Sequence, residues 1–356
     1  MKNQRTPPAP ISFRSTPGGS NSSNGPISRR RAIILFGCAA SLPALGSGSA
    51  FGANEGISLY NWEGSALGAQ AKLTLAHHNR EEAKDIISSA VQEIERLERI
   101  FSLHRPTSEL TILNSQGHIS QPSMDLLNVL KSAIRFGHDT DGAFDITVQP
   151  LWKVFAKHFS NGSPQSDGPS KQELVEALRA VDFRAVEVST REIQLGLPGM
   201  SITLNGIAQG YITDKVTELL KARGITQVLV ELGETRALDE HPEGRPWRIG
   251  LADPKDRSQI TETVELTDRA LATSAGSGTT FSADGQYHHL FDPRTGRPAN
   301  HNVSVSVITN SAAVADAMST ALFVAAPEKA QPIVKTVRDL TAIITSREGT
   351  KRRLTS

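Results

Sequence analysis

Apolar residues along this chain recur in two rhythms, one near 3.6 residues and one of two, which mark helices and strands respectively. Between residues 81 and 101, Ile86, Ile87, Ala90, Val91, Ile94, Leu97 and Phe101 fall on one helical face. Met124 to Arg135 repeats that spacing, as do residues 171–181 and Thr213–Arg223. The last is followed by Gly224, the residue best suited to the left-handed step that ends a helix. Val314–Val324 predicts an apolar helix with polar residues on one side. Ala71–Ala76 alternates as a strand does, and Val228–Leu232, Arg248–Leu251, Thr263–Leu266, Val303–Ile308 and Leu340–Ile344 add five more. Asn161–Ser170 is a polar Gly/Pro/Ser loop, read as an insertion because no change of composition follows it. Strands dominate the second half without strict βα alternation. That argues against a doubly wound parallel sheet and for an α+β layered fold with a largely antiparallel sheet, in one domain over residues 54–350.

The first 53 residues have a different character. Residues 1–28 are rich in Pro, Ser, Gly and Asn and carry no periodicity, so they are expected to be disordered. Arg29-Arg30-Arg31 then meets Ala32-Ile33-Ile34-Leu35-Phe36, and small residues run on to Ala53. A positive region, a short apolar stretch and a small-residue zone make a signal peptide, here with cleavage expected around residues 49–53. Adjacent arginines before a modest apolar stretch point to twin-arginine export of a folded protein, hence to the periplasm, over an ordinary secretory leader. This segment holds six of the 38 Lys and Arg and none of the 37 Asp and Glu. The remainder, 32 against 37, is mildly acidic, a poor surface for nucleic acid. Cys38, the only cysteine, also lies in the leader, which excludes disulfides and thiolate chemistry from the rest. No later stretch reaches the about 20 apolar residues of a membrane span.

Four short segments are too polar and too rich in glycine to be core alone. Asp141-Gly142-Ala143-Phe144-Asp145 makes a good turn, and could equally set an aromatic wall and an acceptor around a flat ring. Asn205 to Asp214 holds two glycines four apart at a helix start, suited either to a phosphate or to close helix–sheet packing. It has neither the ending of a Walker loop nor the spacing of a dinucleotide fingerprint. His288-His289-Leu290-Phe291-Asp292-Pro293-Arg294-Thr295-Gly296 is a rigid turn displaying an arginine after a histidine able to accept a proton. In Ala315-Asp316-Ala317-Met318-Ser319-Thr320, Asp316 and Thr320 share a helical face and offer hard oxygens suited to Mg²⁺. A helix cap at Asp316 is the competing explanation.

In order and spacing, these segments resemble the ApbE family of flavin transferases from about residue 60 to residue 345. Ser108-Glu109-Leu110 with Asn114 matches the family's early Ser-Glu-Leu…Asn stretch. The resemblance implies an ApbE-like (T-fold-related) fold. It also implies transfer of FMN from FAD to a threonine hydroxyl of a target flavoprotein, with Mg²⁺ and release of AMP. By the same resemblance, Asp316, Ser319, Thr320 and the Gly206 carbonyl surround the metal. Leu67, His104, Ala143, Phe144, Asp145, Thr203, Gln209 and Leu290 contact FAD, and His289 is the base. Gln209 stands where the family usually has Lys, and Thr203 where Asp is common. These departures keep two other roles in view: an FAD-binding accessory protein, and an FAD pyrophosphatase. The export signal resembles that of the NosX-like branch. It implies as acceptor a periplasm-facing membrane or exported flavoprotein with a threonine motif, of NosR-like or Rnf/Nqr-like kind.

Overall fold

The computed structural model describes residues 39–41, 56–160 and 167–356. The arginine signal, the expected cleavage zone and residues 161–166 of the polar loop lie outside the described residues. A short strand, β1 (Ala39–Ser41), lies within the expected leader, and a hairpin of β2 (Ser58–Ala66) and β3 (Ala69–His77) follows. Next come α1 (Arg80–Phe101), α2 (Glu109–Gln116), β4 (His118–Ser120), α3 (Met124–Asp139), α4 (Gln149–Ser160) and α5 (Lys171–Leu178). The middle of the chain forms β5 (Val186–Val188), β6 (Glu192–Leu195), α6 (Ala208–Ala222), β7 (Val228–Leu232), β8 (Thr235–Leu238), β9 (Trp247–Ala252), β10 (Ile260–Leu266) and β11 (Ala270–Ala275). The last part forms β12 (Asn302–Thr309), α7 (Ala312–Val324), α8 (Ala330–Val334), β13 (Thr341–Ser346) and β14 (Lys351–Thr355).

Eight strands make the central sheet in the order β14-β13-β12-β11-β8-β7-β3-β2. Every strand pairing among the described residues is antiparallel. The α+β reading therefore holds, and the sheet is open, with β14 and β2 at its edges. β14 carries it past the expected boundary at residue 350. Side chains alternate across the strands. Leu73, Leu75, Val228, Val230, Ala270, Ala272, Val305 and Val307 face the main core, into which α1, α6 and α7 press their apolar stripes. Leu229, Ala237, Leu271 and Ile343 face the other way, under a small sheet β1-β9-β10 that contributes Trp247, Ile249, Val264 and Leu266.

The helix ends follow ordinary capping chemistry. Asn79 accepts the Glu81 and Glu82 N–H groups at the head of α1, and Ser108, Ser123 and Ser170 cap α2, α3 and α5. α6 starts at Ala208, ahead of the Thr213 that its apolar pattern suggests, so Gln209 and Gly210 belong to its first turn. Among the described residues no helix is long and apolar enough to cross a membrane.

Candidate active site

The site begins where α6 meets α7. Asp214, on α6, accepts the N–H groups of Ala312 (2.9 Å) and Ala313 (3.0 Å) and the Ser311 hydroxyl (2.6 Å). One carboxylate thus satisfies two of the orphan donors at the head of α7, with favourable sign against the helix dipole. Arg236 from β8 holds the same carboxylate at 3.0 Å. The helices approach so closely at Gly210 that a Cβ there would lie 2.3 Å from the Ala312 carbonyl oxygen. Only glycine fits, so packing accounts for this residue, and its N–H is not left for a phosphate: it donates to Asp316 Oδ2 at 3.2 Å.

Asp316 is not a cap. Ser311 caps α7, and Asp316 lies a full turn inside the helix with 3% of its surface exposed. No ion pair among the described residues reaches it, and burial pushes its carboxyl up to about 8. Around it stand neutral oxygens. Ser319 donates to the Asp316 carbonyl at 2.9 Å, and Ser274 on β11 lies 2.8 Å from the Ser319 hydroxyl and 3.2 Å from that of Thr320. Gly206 closes the group, since a Cβ there would touch Thr320 Oγ1 at 3.0 Å. Gly206 and Thr320 are the partly exposed members, so the cluster opens to solvent on their side. The four residues expected at the metal are brought together, and the structure adds Ser274.

Asp141-Gly142-Ala143-Phe144-Asp145 forms the wall beside Gly206. Asp141 and Gly142 take positive φ (53° and 76°) and turn the chain out of α3. Phe144 is buried edge-on against Phe136, with Cε2 3.3 Å from the Cβ position of Gly206. Asp145 is committed to its neighbours: Oδ1 accepts from Thr147 N (2.7 Å) and from the Thr147 hydroxyl (2.5 Å), and Oδ2 from Phe183 N (3.2 Å). Burial raises its pKa above the usual carboxylate range, against these hydrogen bonds. Thr203 is anchored to the same segment through its N–H, which donates to the Ile146 carbonyl (2.8 Å). Asn114 pairs with both backbone groups of Ile202 at 2.7 and 2.8 Å, which accounts for the Asn after Ser-Glu-Leu. Gln209 is 7% exposed and packs on Gly233, and its Nε2 has no hydrogen-bond partner.

The paired histidines divide their roles. His288 is buried; its Nδ1 accepts the Leu290 N–H (3.2 Å) and its ring stands edge-on to Phe323 of α7. His289 is partly exposed, and its Nδ1 lies 3.1 Å from the Thr279 carbonyl. A carbonyl only accepts, so Nδ1 carries the proton and Nε2 presents its lone pair. Burial, helped by the positive charge of Arg257, lowers the His289 pKa to about 4, so the ring is neutral at ordinary pH. The turn that follows does not display its arginine. Arg294 folds back onto Asp292 with two hydrogen bonds (2.8 and 3.0 Å), and Gly296 seats the turn against Leu151 of α4 and Leu178 of α5.

With this geometry in place, kinship can be assessed. The sequence profile of the ApbE family matches residues 67–344. The chain belongs to the ApbE family. An FAD:protein FMN transferase of Vibrio cholerae is 34% identical over 251 residues, 68% of this chain and 74% of that protein. Two solved structures share the fold. The flavin transferase ApbE from Vibrio cholerae has a TM-score of 0.71 at 26% identity, covering 84% of this chain and 97% of that one. The ApbE protein of Thermotoga maritima reaches 0.73 at 27%, covering 83% and 97%.

Of the residues expected near the flavin, Leu67 lies at the β2–β3 turn and His104 just after α1. Leu67 adopts a left-handed φ of 47°, costly for a branched side chain, and its N–H donates to Glu98 at 2.7 Å. Glu98 also pairs with Arg105, next to the exposed His104. Leu290 is buried directly after His289. The sequence reading assigned no role to Asp214, Ser274 or Arg257, whose parts depend on contacts across long separations in the chain.

Proposed function

We propose that this chain is a Mg²⁺-dependent transferase that moves FMN from FAD to a threonine hydroxyl of an exported or periplasm-facing flavoprotein, releasing AMP. The burial of the Asp316 carboxyl, bonded by the Gly210 N–H, with no ion pair to it among the described residues and with the Ser319 and Thr320 hydroxyls on the same helix, carries the reading. A carboxylate so placed calls for a cation. A single carboxylate with neutral oxygens suits a hard ion that completes its shell with substrate phosphates. No group of three His, Cys, Asp or Glu residues able to hold a metal occurs among the described residues, which disfavours a softer ion. Asp316, Thr320 and the Gly206 carbonyl would hold Mg²⁺, with Ser319 and Ser274 orienting them. The bound ion would neutralise the pyrophosphate as charge shifts to the departing AMP.

The chain's own residues supply the rest. The acceptor hydroxyl forms a bond to the phosphorus on the FMN side, the bond from that phosphorus to the AMP oxygen breaks, and AMP carries off the electron pair. The proton of the hydroxyl passes to His289 Nε2, which Thr279 fixes in the accepting tautomer. Phe144 and Ala143 form an apolar wall next to Gly206. Gln209 places an unpaired amide donor where the family more often has a lysine. The arginine-led leader supports export by the twin-arginine route, with the reaction outside the cytoplasm.

The test uses the chain without its leader, FAD, Mg²⁺ and a protein fragment bearing an Asp/Ser-Gly-Ala/Ser-Thr acceptor. In-gel flavin fluorescence should appear on the fragment and vanish for Asp316→Ala and His289→Ala. Tight FAD binding with no labelling would replace this reading with the accessory role. AMP formed without any acceptor would replace it with the pyrophosphatase.

A further inference from the structure

The loop between β9 and β10 reaches the imidazole side of the site through one side chain. Arg257 donates from a terminal guanidinium nitrogen to the Ser277 carbonyl at 2.6 Å and lies 3.4 Å from the Ser277 hydroxyl. Ser277 is the middle residue of the Gly276–Gly278 turn, and both flanking glycines press on histidine rings. A Cβ at Gly276 would lie 3.0 Å from His288 Cδ2, and one at Gly278 would lie 3.1 Å from His289 Cε1. The next residue, Thr279, takes both the backbone N–H and the Nδ1 proton of His289 on its carbonyl. The Gly276–Thr279 stretch is therefore the bed on which His289 lies, and Arg257 is bonded to its centre.

The anchor is stiff at its other end. Asp253 accepts from Lys255 N (2.7 Å) and Asp256 N (3.2 Å), and Asp256 accepts from the Ser258 hydroxyl (2.6 Å) and Gln259 Nε2 (2.8 Å). A backbone bond from Asp253 N to Gln259 O (2.8 Å) closes the loop. A guanidinium on such a base keeps both its place and its charge at any relevant pH.

We propose that Arg257 is a positioning residue of the transfer site, locking the Gly276–Gly278 turn and so fixing where His289 presents Nε2. The proposal rests on the flavin-transfer reading above. It also has an electrostatic side. The titratable and charged groups facing His289 are Arg257 and, in a T-shaped contact, His288, which burial keeps neutral and on which Arg347 acts; no carboxylate among the described residues acts on the ring. Arg257 therefore adds to the burial that keeps the base neutral, as well as holding it in place.

The experiment compares the wild-type chain with Arg257→Ala and Arg257→Lys in two readouts: kcat for FMN transfer across pH, and the His289 ring titration by NMR without substrate. Arg257→Ala should lower kcat roughly tenfold or more through misplacement. It should also raise the midpoint of the acid limb, and of the NMR titration, by about half a pH unit. Arg257→Lys should restore the midpoint while recovering only part of kcat, because a point charge cannot reproduce the planar fork. A kcat within twofold of wild type in Arg257→Ala would overturn the proposal. So would a lower kcat with both midpoints unmoved, the mark of a merely structural role. If the wild type labels no acceptor, the flavin-transfer reading fails by itself. The NMR titration then decides on Arg257: an unmoved midpoint overturns its hold on His289, and a raised one supports it.

Discussion

Asp316 and His289 stand on segments of opposite character. Asp316 lies inside a regular helix whose head is held by Asp214 and whose flank is packed on β11 and α6. His289 lies in the long connection from β11 to β12, where one short turn and isolated bridges are the only regular structure. The first wall is positioned by element geometry, the second by glycines that let backbone touch the rings and by one carbonyl that fixes a tautomer. A helix resists displacement because every residue is bonded along the axis. A loop resists only as far as its individual contacts do. The oxygen wall should therefore fail only when one of its own oxygens is removed, and the imidazole wall under changes that leave His289 itself intact.

Four measurements test that contrast. Asp316→Ala removes the one carboxylate and should cut kcat for FMN transfer by about a thousandfold or more. Residual activity within tenfold of wild type would place the cation elsewhere. His289→Ala removes the proposed base and should cost about a hundredfold, with FAD affinity little changed; a loss appearing in KM alone would contradict that proposal. Gly278→Ala sets a methyl against His289 Cε1 and should lower kcat about tenfold with little change in Tm. If it behaves as wild type, the glycine bed does not position the ring.

The smallest effect concerns pH and metal. Between the ordinary carboxylate range and about 8, the folded protein keeps a proton on Asp316 that the unfolded chain releases. The stability of the metal-free protein therefore falls as pH rises through that window. A cation must displace the proton, so Mg²⁺ should raise Tm more at pH 8.5 than at pH 6, by about 3 °C. An equal Mg²⁺ effect in Asp316→Asn would show that the ion binds at another place.

Much of this was legible in the sequence because it obeys a period. The α1 and α7 stripes and the β3, β7 and β12 alternations lie where the apolar pattern puts them, and the Asp316/Thr320 spacing gave the shared face. What was not legible lacks a period. β11, Ala-Leu-Ala-Thr-Ser-Ala, has small residues in place of branched ones, so its strand character comes from pairing with β8 and β12. α2 is a short helix, and α4 opens with Gln-Pro, which hides its amphipathic face. The arginine of the Asp-Pro-Arg-Thr-Gly turn looked available because nothing in its spacing shows that Asp292 claims it. Ser274, Asp214 and Arg257 act on residues 45, 98 and 20 positions away, distances over which sequence pattern carries no information.

The Asp214 contact bears on the order in which the molecule can be made. The Asp214 carboxylate, which holds the head of a helix beginning at residue 312, couples segments whose synthesis is separated by six strands and a long loop. A chain still emerging from the ribosome has α6 but no partner for its Asp214, and the oxygen cluster has neither Asp316 nor Thr320. Contacts of such separation close late in folding. Premature termination or a nick before α7 would thus yield a fragment with much of the sheet and neither Asp316 nor Thr320. The oxygen cluster is complete only once α7 has been made and docked on α6.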